Sequence, residues 1–286
     1  MNSQLSIIIP AKNEARGLRK LLPEIRSLCP SAQVIVVNDG SSDETAAICD
    51  EHGVACVSHP HSLGNGAAIK TGARAAQGTV LLFMDADGQH QPQDIPRLLE
   101  KLAQGYDMVV GARSRQSQAG AHRAFANGFY NLLASWMVGQ PVADLTSGFR
   151  AANAEKFRKF LYLLPNGFSY PTTITMSFFR AGFPVAYEPI HAPQRIGRSH
   201  VRLIRDGVRF MLIIFKIGTL YSPLKLFLPV SLMFFVTGAG YSAYTLLAQH
   251  RFTNMSALML ITAVLVFLIG LVSEQITGLL YKDTEH

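Results

Sequence analysis

A chain of 286 residues with 49% hydrophobic and 16% charged side chains is too apolar for a disordered segment, and its apolar residues are too unevenly spread for a wholly water-exposed protein. Its formal charge of +7 is concentrated, because residues 191–225 carry seven Lys and Arg against Asp206 alone. Cys29, Cys49 and Cys56 are too few and too irregular for a disulfide framework and fit a reducing compartment.

In chain order, "LSIIIPA", "AQVIVVN", "GVACVSH", "TVLLFMD" and "YDMVVGA" are short, β-branched, apolar runs that predict strands. Between them Gly17–Leu28, Thr45–His52, Ala67–Ala76 and Asp94–Gln104 have helical spacing. The alternation predicts an α/β fold, a mainly parallel sheet with helices on both faces. In such sheets chemistry collects at the carboxyl ends of the strands. Polar clusters stand there: Lys12-Asn13-Glu14, Asn38-Asp39-Gly40 and Asp85-Ala86-Asp87, the last followed by Gln89 and His90. Each alone has an ordinary explanation, since Asp, Asn and Gly favour turns and Ser42 or Asp43 is a ready helix cap. Three on one edge are not explained by three unrelated turns. "SLGNGAAIKTG" lacks the spacing of a P-loop, but Gly64 and Gly66 open a helix whose N-terminal amides are placed to face a diphosphate. No Cys/His cluster has zinc-ligand spacing.

The ordered motifs "IIIPAKNE", "VIVVNDGSSDET", "GNGAAIKTG", "MDADGQHQP", "VVGAR" and "DLTSGFRA" resemble glycosyltransferase family 2. Within it the chain is most similar to the polyprenyl-phosphate glycosyltransferases, which include dolichol-phosphate mannose synthases and bacterial undecaprenyl-phosphate sugar transferases. The resemblance covers residues 4–200 and implies a GT-A (Rossmann-like) fold. It implies an inverting enzyme that moves a sugar from a nucleotide sugar to polyprenyl phosphate (undecaprenyl or dolichyl). A UDP-hexose or UDP-N-acetylhexosamine is the favoured donor, with GDP-mannose the alternative. On this basis Pro10, Ala11, Asn13, Glu14, Asn38, Asp39, Gly64, Lys70, Asp85, Ala86 and Asp87 are expected to bind the nucleotide sugar. Asp85, Asp87 and Gln89 are expected to hold Mg²⁺ or Mn²⁺, which suit hard oxygen ligands. The catalytic set is Asp87, Arg113 and Asp144, with Asp144 acting as a base, binding a sugar hydroxyl or organising Arg150. Arg113, Arg123, Ser147, Arg150, Arg195 and Ser199 are expected to meet the acceptor phosphate. His90 is expected to be structural or to support the metal ligands from behind. "QRIGRSH" resembles the family's R-x-x-G-x-S-K segment but carries His200 where lysine is usual.

Beyond this segment Arg198, Arg202, Arg205, Arg209 and Lys216 fall within about a 60° arc of a helical wheel. That pattern predicts a helix lying on anionic lipid headgroups, and the basic cluster points to lipid in preference to nucleic acid. Pro229–Ala248 and Met255–Leu271 lack any charged residue and read as membrane spans joined by the short "QHRFTN" loop. Glu274 lies towards the end of the second, where it is expected to reach the interface or a neighbouring helix. The expected organisation is a GT-A domain at residues 1–197, amphipathic juxtamembrane helices at 198–225 and a hairpin at 226–286, with spans near 226–248 and 255–280. The apolar run Leu5–Ile9 is too short for a signal peptide, and with the cysteine usage and the basic residues before the first span the catalytic domain is expected on the cytosolic face of the inner membrane. Homo-oligomerisation is left open. Two alternatives compete: a processive polysaccharide synthase, which would need a Q-x-x-R-W segment although Trp136 is the sole tryptophan, and a non-catalytic nucleotide-sugar-binding membrane scaffold.

Overall fold

Near-continuous apolar runs such as Ile7-Ile8-Ile9 and Val34-Ile35-Val36-Val37 are buried on both faces, as strands covered by two helical layers require. The computed structural model describes residues 4–113, 121–167, 170–190, 215 and 218–282. Two compact units divide the chain, residues 1–200 and 201–286.

The first unit contains one seven-stranded sheet. Its strands are β1 (Leu5–Ala11), β2 (Gln33–Asn38), β3 (Ala55–Ser58), β4 (Val80–Phe83), β5 (Met108–Arg113), β6 (Arg150–Asn153) and β7 (Val185–Ile190). The order across the sheet is β3-β2-β1-β4-β6-β5-β7. All pairings are parallel except those of β6, which runs antiparallel to both β4 and β5. The five strands and four helices expected from the sequence all form, with ends displaced by at most two residues: α1 (Ala15–Leu28), α2 (Thr45–Glu51), α3 (Asn65–Ala75) and α4 (Ile95–Ala103). α5 (Ala121–Val138), α6 (Ala154–Arg158) and α7 (Tyr170–Arg180) complete the unit.

Leu18, Leu21, Leu22 and Ile25 put one face of α1 into the core with Ile7, Ile9 and Val36. On the opposite face α3 approaches so closely that a Cβ at Gly72 would lie 2.3 Å from the Ile8 side chain. Register then sets where the chemistry meets. Ala11 pairs with Asn38 and Asn38 with Ser58, so β1, β2 and β3 end level and their following loops share one rim.

The second unit is a hairpin of α8 (Pro223–Gln249) and α9 (Asn254–Lys282). Both helices are long and apolar enough to cross a membrane. His250 closes α8 in the left-handed conformation, with φ +50°. Small residues let the backbones approach: a Cβ at Gly238 would lie 2.9 Å from Met259, and one at Gly270 2.8 Å from Phe227. Ser231 Oγ donates to the Ala263 carbonyl at 2.8 Å across the seam, while Leu232, Met233, Phe235 and Val236 face outward. Glu274 faces the neighbouring helix, its Oε2 accepting the Leu224 N–H at 3.2 Å in the first turn of α8. A carboxylate there complements the positive end of the helix dipole.

Candidate active site

The loops after β1, β2 and β4 enclose a cavity of about 520 Å³. Pro10, Ala11, Lys12 and Glu14 line it from β1, Asp39 from β2, and Asp85, Ala86, Asp87 and Gln89 from β4. Ser62, Gly64, Asn65 and Ala68 come from the loop before α3 and its first turn. Thr146, Gly148, Tyr170, Pro171 and Thr172 form the remaining wall.

The Asp85-Ala86-Asp87 turn is fixed from beneath. The Asp85 N–H donates to His90 Nδ1 at 2.8 Å and the Gln89 N–H to Asp87 Oδ1 at 3.1 Å, with Gly88 at φ +78°. His90 is buried and stacks on Phe149 with ring centroids 5.1 Å apart. Burial pushes its pKa down to about 4, with Arg113 and Arg150 lowering it further against Asp87 and Asp144. The ring is therefore neutral and its Nδ1 is an acceptor, which is the structural role expected of it. Glycines clear the space on both sides: a Cβ at Gly17 would lie 1.9 Å from the Ala86 carbonyl oxygen, and one at Gly148 would lie 3.0 Å from Asp85 Oδ2. Two carboxylates and the Gln89 amide thus share one lined cavity kept open beside Asp85, which fits a hard divalent cation. Among the described residues no group of three or more His, Cys, Asp or Glu gathers for a metal.

Asp39 builds the loop that faces the cavity. Its carboxylate accepts from His59 Nδ1 at 2.8 Å, Ser62 Oγ at 2.7 Å, the Leu63 N–H at 2.8 Å and the Gly64 N–H at 2.9 Å. Burial would raise its pKa, but these donors prevail and hold it at about 2. These four bonds tie residues 59–64 to the end of β2, so Asp39 both lines the cavity and shapes the loop beside it. Asp39→Ala should weaken nucleoside diphosphate binding about tenfold or more, since charge-assisted bonds contribute about 1.5–3 kcal/mol each. A folded-state pKa below the unfolded one means this stabilisation is complete above about pH 4 and is lost as pH falls toward 2. Titration calorimetry should accordingly show no Asp39-linked change in affinity from about pH 5 to 8. Wild-type affinity in Asp39→Ala would contradict the assignment.

Several expected ligands instead tie loops together. Asn13, at φ +58°, accepts the Ser42 N–H at 2.8 Å, and its own N–H donates to Ser41 Oγ at 2.9 Å. Asn38 accepts the Ser41 N–H at 2.9 Å. Asp43 accepts the N–H groups of Thr45 and Ala15 and so ties the starts of α1 and α2 together, but the N-cap position of α2 is Glu44 and not the expected Ser42 or Asp43. The amides of α3 do not face a diphosphate as a group, because the Gly66 N–H donates to Gly167 O at 3.3 Å and the Ala67 N–H to Asn166 O at 2.9 Å. Gly66 is required by that docking, since a Cβ would lie 2.0 Å from the Pro165 carbonyl oxygen. Lys70 is corrected for the same reason: its ammonium donates to the Leu164 carbonyl at 3.2 Å and to the Asn166 side chain, and it is absent from the cavity lining.

The motif "DLTSGFR" folds differently from its phosphate-binding expectation. Asp144 is buried and grips Arg113 with both oxygens, Nε to Oδ2 at 2.8 Å and Nη2 to Oδ1 at 3.1 Å. The N–H groups of Thr146 and Ser147 also donate to it. Burial raises its pKa, but Arg113 and these amides bring it below the ordinary carboxylate value. Asp144 is therefore paired with Arg113 and not with Arg150. Arg113 also donates to Thr146 Oγ1 at 2.7 Å and remains partly exposed. Arg150 is fully buried and corrected from acceptor contact to wall clamp. Its guanidinium donates to the carbonyls of Ser147 and Pro171 and to Thr175 Oγ1, and it lies over the Tyr170 ring at 5.7 Å. Ser147 is buried, and among the described residues its hydroxyl has no hydrogen-bond partner. Arg195, Ser199, His200 and the expected basic face of Arg198, Arg202, Arg205, Arg209 and Lys216 lie outside the described residues, as does the side chain of Arg123 on α5. Among the lining residues not expected as ligands, Ser62, Asn65, Ala68, Thr146 and Gly148 lie inside quoted motifs, whereas Tyr170–Thr172 carry no sequence signal of a site.

Residues 6–161 match glycosyl transferase family 2, and residues 222–279 match the GtrB C-terminal hairpin. The polyprenol monophosphomannose synthase of Mycolicibacterium smegmatis is 29% identical over 206 residues, covering 66% of this chain and 77% of that one. The glycosyltransferase AglJ of Haloferax volcanii is 28% identical over 244 residues, covering 83% and 80%. The undecaprenyl-phosphate 4-deoxy-4-formamido-L-arabinose transferase of Pseudomonas fluorescens is 32% identical over 188 residues, covering 59% of this chain and 55% of that relative. The fold is shared with glucosyl-3-phosphoglycerate synthase from Mycobacterium tuberculosis, crystallised with Mn²⁺ and UDP, at a TM-score of 0.62 and 21% identity over 76% of this chain and 79% of that one. With the family match spanning more than half its length and centred on the loops that form the cavity, this chain belongs to glycosyl transferase family 2 and ends in a GtrB-type hairpin.

Proposed function

We propose that this enzyme transfers a sugar from a nucleoside diphosphate sugar to the phosphate of a membrane polyprenol. A phosphate oxygen of the lipid attacks the anomeric carbon, the bond from that carbon to the diphosphate breaks, and the nucleoside diphosphate leaves with its electrons. The observation that carries this reading is the joining, in one chain, of an oxygen-lined cavity at the strand ends with a hairpin apolar enough to span a membrane. The names of the relatives agree with a lipid-phosphate acceptor.

In this reading Pro10, Ala11, Glu14 and the Asp39-organised loop hold the nucleoside. Asp85, Asp87 and Gln89 hold Mg²⁺ or Mn²⁺, which when bound supplies positive charge to the departing diphosphate. Arg113, kept in place by Asp144, presents its guanidinium toward phosphate oxygens, with Arg123, Arg195 and Ser199 serving the acceptor. The acceptor is already an anion near neutral pH, so positioning matters more than deprotonation, in keeping with an Asp144 that holds Arg113. The catalytic domain (1–197) works at the cytosolic face of the inner membrane, the segment 198–225 lies on anionic headgroups, and residues 226–286 anchor the chain.

A UDP-hexose or UDP-N-acetylhexosamine is the proposed donor. A mannose donor is the second reading, favoured by the likeness to a polyprenol monophosphomannose synthase. The test is a panel of nucleotide sugars incubated with the full chain and undecaprenyl phosphate in bilayers. One donor should yield a chloroform-soluble glycolipid, and failure of the whole panel while donors bind would favour the scaffold alternative.

A further inference from the structure

The C-terminal half of α5 presents an apolar face that the described residues of the first unit leave uncovered. Leu132 and Trp136, one turn apart, are 69% and 48% exposed, and Gly128 lies exposed a turn earlier with open space around it. Ala134 and Met137 on the other side are buried. Charge favours one class of partner: no acidic residue occurs from Met108 to Ala143, while Arg113, Arg115 and Arg123 fall within that stretch. A leucine and tryptophan face in a stretch of sequence with cations and no acidic residue matches the boundary between headgroups and acyl chains, where tryptophan is enriched and anionic lipid attracts Arg.

The inner side of the same helix carries the acceptor-side loop. Asn131 Nδ2 donates to the Ala143 carbonyl at 2.6 Å, and its Oδ1 accepts the Leu145 N–H at 3.1 Å. Ser135 Oγ accepts the Val142 N–H at 2.9 Å and donates to the Asn131 carbonyl at 2.6 Å. Residues 142–145 therefore move with α5, and Asp144 among them holds Arg113.

We infer that the outer face of α5 docks on an anionic lipid surface and thereby sets the height of Arg113 relative to the headgroups. Its consequence for transfer rests on the lipid-phosphate reading above; the docking itself does not. Trp136 is the single tryptophan of the chain, so intrinsic fluorescence reports α5 alone. The full chain is reconstituted in bilayers of phosphatidylglycerol and phosphatidylcholine, with and without brominated acyl chains, and no donor or acceptor is added. Docking predicts blue-shifted emission, quenching by bromolipid and protection from aqueous acrylamide. Quenching by acrylamide without quenching by bromolipid would overturn the inference, as would protection from both, which means that a second copy or another protein segment covers the face. Leu132→Glu, which retains the reporter, should lose bromolipid quenching and lower transfer to a long-chain acceptor on the order of tenfold, with UDP binding unchanged. Lost quenching with undiminished transfer would overturn the link to Arg113. Bromolipid quenching in a wild-type protein that makes no glycolipid would support the docking and sink the lipid-phosphate reading.

Discussion

Replacing Asp87 by Asn should lower turnover on the order of 10²-fold or more at saturating donor while leaving the unfolding midpoint close to wild type. The substitution preserves shape, and an Asn Oδ1 still accepts the Gln89 N–H that Asp87 receives at 3.1 Å. What disappears is one of two carboxylate charges facing the cavity between the strand ends. Charge that builds on the leaving diphosphate then lacks part of its compensation, and the loss appears in kcat more than in donor affinity. Chelator should reproduce the defect in the wild type, and Mg²⁺ or Mn²⁺ should reverse it. Full activity in excess chelator would remove the metal from the account.

Asp144→Ala should destabilise the protein by about 3–5 kcal/mol and also abolish most transfer. The pair is buried on the Asp144 side and bidentate, so deletion of the carboxylate strands the Arg113 cation and four backbone or side-chain donors around it. Chemical denaturation of the variant measures the first effect. The double variant Arg113→Met with Asp144→Leu should recover much of the stability without recovering transfer, because it removes both charges and the phosphate ligand together. The pH dependence separates an organiser from a base. A folded pKa below the ordinary carboxylate value means that Asp144's contribution is present throughout the neutral range and is lost only as pH falls below about 4. Transfer should therefore show no Asp144-dependent acidic limb between about pH 5 and 8. Such a limb, abolished in Asp144→Asn, would restore the base.

The strands of the first unit were legible because burial on both faces demands the uninterrupted apolar runs that β1, β2 and β4 display. The two carboxylates after β4 were legible for a related reason: a charged pair after such a run must leave the core at the strand's carboxyl end. Arg150 was not. An arginine in a glycine-containing loop reads as a phosphate ligand, but β6 inserts antiparallel between β4 and β5 and carries Arg150 under the sheet edge, opposite Phe83 and Val110. Only the topology decides that. Lys70 and the amides of α3 were misplaced because their partners, residues 164–167, lie roughly a hundred positions away and carry no motif. Tyr170, Pro171 and Thr172 reach the cavity at the start of α7 through the clamp on Arg150, a contact that leaves no local spacing to read.

The chemical linkage of the transferred sugar bears most directly on the central claim. The full chain in bilayers, supplied with its donor, a divalent cation and undecaprenyl phosphate, should convert the lipid phosphomonoester signal in ³¹P NMR to a phosphodiester joined to the anomeric carbon. That conversion should vanish with chelator and in Asp87→Asn. A sugar found on a saccharide hydroxyl, or donor consumed with the lipid phosphomonoester unchanged, would contradict it.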